Sequence, residues 1–98
     1  QAVADLDRAL ELDASYGQAY LNRGLARFFQ RRFEEAMRDF DRAIELEPEN
    51  PEYYLQRASA NAVQGRRDPA IADLRQVLAL DPTNAGAAAT LQRLGATP

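Results

Sequence analysis

Residues 51–84 repeat residues 17–50 in register and without a gap, and this 34-residue stride decides most of what the chain can become. Tyr20 answers to Tyr54, Leu21 to Leu55, Arg23 to Arg57, Ala26 to Ala60, Gln30 to Gln64 and Arg32 to Arg66. The register holds through Ala36 and Ala70, Asp39 and Asp73, Leu46 and Leu80, Pro48 and Pro82, and Asn50 and Asn84. Each copy reads as two amphipathic helices joined by a tight turn. A unit of that length cannot bury its apolar face alone, so it must stack on its neighbours.

The chain begins in the middle of this pattern. Residues 1–14 align with 35–48, placing Ala2, Leu6, Ala9 and Leu10 where Ala36, Phe40, Ala43 and Ile44 stand, one apolar stripe of a helix. Ser15 and Gln18 have the spacing of a capping box for the next helix, about 17–31. Gly24 stands in mid-helix, where it costs up to ~1 kcal/mol relative to Ala. Close approach of the partner helix is the expected compensation, and the second copy has the small Ala58 there. Arg27, Arg31 and Arg32 suit the negative end of the helix macrodipole. The next helix spans Phe33 to Glu47, and Pro48 stops it. Asn50-Pro51 restarts the chain as N-cap and first helical residue of a helix about 51–64. Gly65 is a natural left-handed C-cap; Arg31 holds that position in the first copy, so its turn should be strained or rearranged. Asp68-Pro69 opens a helix with the stripe Ala70, Leu74, Val77 and Leu78. Asn84 starts a last, alanine-rich helix, about 85–94, with Leu91 and Leu94 as its large apolar residues, and Gly95 to Pro98 reads as a frayed end.

Composition removes several functions. With neither His nor Cys, zinc and copper sites of the usual kind are excluded, as are Ser/His and Cys/His nucleophile–base pairs and any disulfide. Asp39 and Asp41 lie two apart on a helix and diverge, so they form no acid/base dyad, and there is no phosphate loop or EF-hand spacing. The chain is not expected to be an enzyme, to need a cofactor or to hold a metal. A net charge of −3 argues against a nucleic-acid surface. No apolar run approaches the roughly 18 residues of a membrane span, and no signal-peptide pattern opens the chain, so a soluble chain without membrane insertion is expected. All twelve basic residues are arginine, which fits either bidentate pairing with carboxylates or biased codon usage.

The chain resembles the tetratricopeptide repeat family, whose pattern is Trp-x2-Leu-Gly-x2-Tyr, then Ala-x3-Phe, a further Ala, and a closing Pro. Tyr20, Gly24, Ala36, Phe40, Ala43 and Pro48 carry the likeness in the first unit; Tyr54, Ala58, Ala70, Leu74, Val77 and Pro82 carry it in the second. The resemblance implies an all-α fold, a right-handed α-α superhelix of about six antiparallel helices forming one domain over 1–98. Its parts would be a second-helix half repeat at 1–16, full repeats at 17–50 and 51–84, and a leading-half or capping helix at 85–98. Two positions depart from the pattern. Arg23 and Arg57 replace the packing Leu, and Arg27 and Asn61 replace the Tyr. A buried arginine needs a partner. Either each pairs with an aspartate of the preceding or same-unit second helix (Asp5, Asp7, Asp39, Asp41, Asp73), or the guanidinium snorkels to solvent.

In this family the first helices of successive units line a concave groove. The resemblance places Gln18, Leu21, Asn22, Leu25, Phe28 and Phe29 along it, then Glu52, Leu55, Gln56, Ser59, Ala62 and Val63. Helical spacing agrees that Leu21, Leu25 and Phe28 share a face offset from Tyr20 and Gly24; the competing reading is that this apolar stripe is core, with Arg27 displaced outward and Phe28 rotated inward. That face suits an amphipathic helix or an extended apolar peptide. Relatives that clamp the terminal carboxylate of chaperone partners use Lys, Arg and Asn where this chain has Leu21, Leu25, Gln56, Gly86 and Thr90, so that subclass does not fit. The expected function is a protein–protein interaction scaffold binding a peptide or helix of a protein partner. The alternative is a homo-oligomer, in which the last helix of one molecule docks on the first helix of the next and buries Leu91 and Leu94 against Val3, Leu6 and Leu10.

Overall fold

The computed structural model describes residues 17–96. The expected stripe Ala2, Leu6, Ala9 and Leu10, the acids Asp5 and Asp7, the docking residue Val3 and the capping Ser15 lie outside them. Five helices and no strand occur among the described residues: α1 (Gly17–Phe29), α2 (Phe33–Leu46), α3 (Pro51–Val63), α4 (Arg67–Leu80) and α5 (Ala85–Arg93). None is long and apolar enough to cross a membrane. The chain divides into two compact units, one ending at Pro48 and the other starting at Glu49.

The first unit is the hairpin α1–α2. Ala36, Phe40 and Ala43 of α2 are buried at a spacing of i, i+4 and i+7, the stripe the sequence shows, and Gly17, Leu21 and Gly24 bury the matching stripe of α1. Gly24 is small because Phe40 is large. A Cβ on Gly24 would stand 2.7 Å from Phe40 Cε1 and 3.1 Å from Asp39 Cβ. In the second unit the same two positions are Ala58 and Leu74, a methyl gained on one helix and a ring lost from the other.

The second unit is the hairpin α3–α4 with α5 packed on α4. Its core is Ala58, Ile71, Leu74, Val77, Ala87 and Leu91, with Tyr54, Leu55, Leu78, Leu94 and Ala96 against it. The helix starts are set locally. Asn50 Oδ1 accepts from the Glu52 amide at 3.1 Å with Pro51 at the first helical position, and Asn84 Oδ1 accepts from the Ala87 amide at 2.9 Å. α4 begins at Arg67, one residue before the expected Asp68, and its N-cap Arg66 makes no side-chain capping bond.

Three helices end in one motif. The amides of Arg32, Arg66 and Ala96 reach back to the carbonyls of Arg27, Asn61 and Leu91, while those of Arg31, Gly65 and Gly95 bond Phe28, Ala62 and Gln92. These paired bonds are Schellman closures, and each puts one residue in the left-handed region. That residue is Gly65 (φ 75°), Gly95 (φ 79°) or, in the first hairpin, Arg31 (φ 62°). The strained turn expected at Arg31 is therefore present, and an L-residue there gives up roughly 1–2 kcal/mol. The expected frayed end, Gly95 to Pro98, is corrected for its first two residues, the other two lying outside the described ones: Gly95 closes α5, Ala96 packs on the core, and Arg67 Nε donates to the Leu94 carbonyl at 2.6 Å.

Candidate interaction faces of the first helices

A charged rung fixes how each first helix is turned against its second helix. Arg23 meets Asp39 edge-on, Nη2 donating to Oδ1 at 2.7 Å and Nε to Oδ2 at 3.1 Å. One turn along α1, Arg27 Nη1 donates to the same carboxylate at 3.1 Å. The second unit repeats the arrangement with Arg57 and Asp73, Nη2–Oδ1 2.7 Å and Nε–Oδ2 3.0 Å, and Asn61 Nδ2 donates at 3.2 Å. Both aspartates are buried. A buried carboxylate is tolerated where its oxygens are saturated by donors, and here two side chains one helical turn apart supply them. The guanidinium groups also lie over tyrosine rings, Arg23 Cζ 5.6 Å from the Tyr20 centroid and Arg57 Cζ 5.7 Å from that of Tyr54.

Of the two open readings for Arg23 and Arg57, the structure selects pairing with the same-unit aspartate. It also corrects Arg27, which turns inward to Asp39 and lies within 3.6 Å of Glu35. Sequence reasoning marked Arg27 and Asn61 as departures without seeing that they finish the rung. The signal was available: both follow the first arginine by four residues and so share its stripe.

With the helices turned this way, the candidate groove residues separate. On α1, Asn22 and Phe29 are exposed, and Gln18, Leu25 and Phe28 are half-buried. Gln18 Nε2 donates to Asn22 Oδ1 at 3.0 Å, a polar pair along that face. Leu21 is only 1% exposed and is a core residue, a correction to its place in the groove. Its spacing from Gly17 and Gly24 is i+4 and i−3, so it belongs to their buried stripe rather than to a face offset from it. On α3, Glu52, Ser59 and Val63 are exposed, and Gln56 and Ala62 are half-buried. Leu55 is partly buried because it packs on the core of its own unit.

Two large apolar residues stand out from these faces. Phe29 is 80% exposed and Val63 64% exposed, and they occupy the same register position, the last residue of α1 and of α3. The Phe29 ring meets Phe28 edge-on at 5.7 Å, and Phe28 meets Phe33 of α2 at 5.3 Å, so the exposed ring rests on an ordered aromatic base. Leu91, by contrast, is 0% exposed, and Leu94 packs on the same cluster. Leu91 is therefore covered within the chain, while Leu94 stays half-buried.

Repeated helix hairpins of 34 residues, each closed by a left-handed turn, define a class: helical-repeat proteins built from helix hairpins. Residues 17–50 and 51–84 each match a family model described as tetratricopeptide repeat. Among solved structures, the tetratricopeptide domain of Arabidopsis OM64 is 31% identical, over 95% of this chain and 77% of that one, with a TM-score of 0.87. The second such domain of human RPAP3, solved in complex with an HSP70 peptide, is 26% identical over 95% and 78%, TM-score 0.86. The first repeat domain of Spaghetti (RPAP3), bound to an HSP90 peptide, shares the fold at 24% identity over 95% and 74%, TM-score 0.88. No curated protein matches the sequence. The chain belongs to the tetratricopeptide repeat family, and its fold is the all-α helix-hairpin fold of that family.

Proposed function

We propose that the chain is a protein-interaction scaffold, and not an enzyme, that holds a peptide or helix of a partner protein against the outward faces of α1 and α3. The observation that carries this reading is the recurrence of an exposed apolar residue at one register position, Phe29 in one unit and Val63 in the next. A single exposed apolar side chain is ordinary on any protein; the same position left apolar and uncovered in both copies is not explained by packing. Similar structures support the reading, since the RPAP3 domains were solved with peptides of HSP70 and HSP90.

The contact residues on this reading are Gln18, Asn22, Leu25, Phe28 and Phe29 on α1, and Glu52, Gln56, Ser59, Ala62 and Val63 on α3. Affinity would come from the few apolar anchors, with the amides around them fixing orientation. Selection of binding peptides from a random display library, followed by calorimetric titration of the best one, tests it. Leu25→Asp and Val63→Asp should each weaken binding by about tenfold or more while helicity is unchanged. Equal affinity of both variants and the parent would refute the reading.

A further inference from the structure

We infer that the tip of the first hairpin, Phe29 together with Arg31, is a docking point for an acidic amphipathic segment of a partner protein, with an apolar side chain on the Phe29 ring and a carboxylate on Arg31. The inference rests on the first-helix reading above and adds the chemistry of the occupant. Phe29 supplies an exposed ring whose base, Phe28 and Phe33, is fixed by edge-on stacking.

Arg31 supplies the charge. It is exposed, and its side chain has no ion pair or hydrogen bond among the described residues, whereas Arg23 and Arg27 are held by Asp39 and Arg32 by Glu35. It also stands where the backbone favours glycine. The equivalent turns close with Gly65 and Gly95 at nearly the same φ, so the turn itself gains nothing from an arginine. A strained, unpaired cation two residues beyond an exposed aromatic is a pairing that folding does not require.

The sign of the partner follows from the surrounding charge. Residues 17–32 carry four arginines and no acid, but Asp39 takes Arg23 and Arg27 and Glu35 takes Arg32, so Arg31 is the one of the four left to meet a partner's carboxylate at this tip. An acidic segment is therefore drawn to this hairpin tip rather than to the chain as a whole, and its apolar residues find a ring there.

The test uses a fluorescein-labelled dodecapeptide of three Glu-Glu-Leu-Phe units, and its counterpart with glutamine at every glutamate position, titrated into the full chain by fluorescence anisotropy. The acidic peptide should bind, and the glutamine peptide should bind about tenfold more weakly. Phe29→Ala should weaken the acidic peptide about tenfold. Arg31→Gly should weaken it roughly three- to tenfold while melting no lower than the parent, since glycine suits the left-handed turn. Retention of full affinity by Arg31→Gly, equal binding of the two peptides, or no binding of the acidic one would overturn the inference. If Leu25→Asp weakens the probe and Arg31→Gly does not, the first-helix reading stands and the tip falls; if neither weakens it, both fall. Binding to phosphatidylserine–phosphatidylcholine vesicles that is lost in Arg31→Gly, with no binding of the acidic peptide, would make lipid the occupant and likewise overturn it.

Discussion

The guanidinium of Arg57 lies edge-on to the carboxylate of Asp73, with Nη2–Oδ1 at 2.7 Å and Nε–Oδ2 at 3.0 Å, across sixteen residues of chain. Arg23 and Asp39 have the same separation and the same geometry. The family pattern has a leucine at the arginine position. This chain therefore replaces an apolar contact between paired helices with a hydrogen-bonded one, and repeats the replacement in register.

Removing one half of that pair should be costly. Asp73→Ala leaves Arg57 and Asn61 facing a site without an acceptor, and is expected to destabilise by about 3 kcal/mol. In an Arg57→Leu background, which restores the family residue, the same change should cost roughly 1–2 kcal/mol less. Urea denaturation of the four proteins of this cycle checks it; strictly additive values would mean the contact carries no coupling energy.

Gly24 and Phe40 should be coupled by size. Gly24→Ala gains up to ~1 kcal/mol of helix propensity but pushes a methyl into the Phe40 ring, an overpacking worth ~1–3 kcal/mol, so a net loss is expected. Combining it with Phe40→Leu reproduces the Ala58 and Leu74 pair of the second unit and should recover about 1 kcal/mol relative to the sum of the single changes. Thermal melts showing no recovery would contradict the size relation.

The two hairpin turns should respond in opposite directions. Arg31→Gly is expected to stabilise by about 0.5–1 kcal/mol, because it relieves a left-handed L-residue. Gly65→Ala should destabilise by roughly 1 kcal/mol for backbone reasons alone, since nothing lies within 4 Å of a Cβ built there. Midpoints of chemical denaturation that move the same way for both would rule the account out.

The stripe of α2 should be sensitive to volume in both senses. Phe40→Ala is expected to cost ~3–5 kcal/mol and Ala36→Leu ~1–3 kcal/mol, because both residues are buried in the hairpin contact. An Ala36→Leu protein that melts with the parent would remove Ala36 from that contact.

Much of the architecture is written locally. The register of residues 17–50 on 51–84 sets the helix-hairpin units, and Asn50 and Asn84 start helices from side chains two and three residues away from the amides they bond. The stripe of Ala36, Phe40 and Ala43 and the left-handed position of Arg31 are equally short-range: each depends on residues within a turn or two, which is the range over which sequence spacing fixes geometry. Tertiary structure decided which way each helix faces. The sequence left Arg23 free to pair or to reach solvent, allowed Arg27 outward, placed Leu21 in the groove, and let Gly95 fray. Asp39 turns both arginines inward, Leu21 joins the buried stripe of Gly17 and Gly24, and Arg67 and the core hold the end of α5. The physical reason is that helical periodicity gives angles between residues of one helix, while the rotation of that helix is set by contacts twelve to sixteen residues away in the chain.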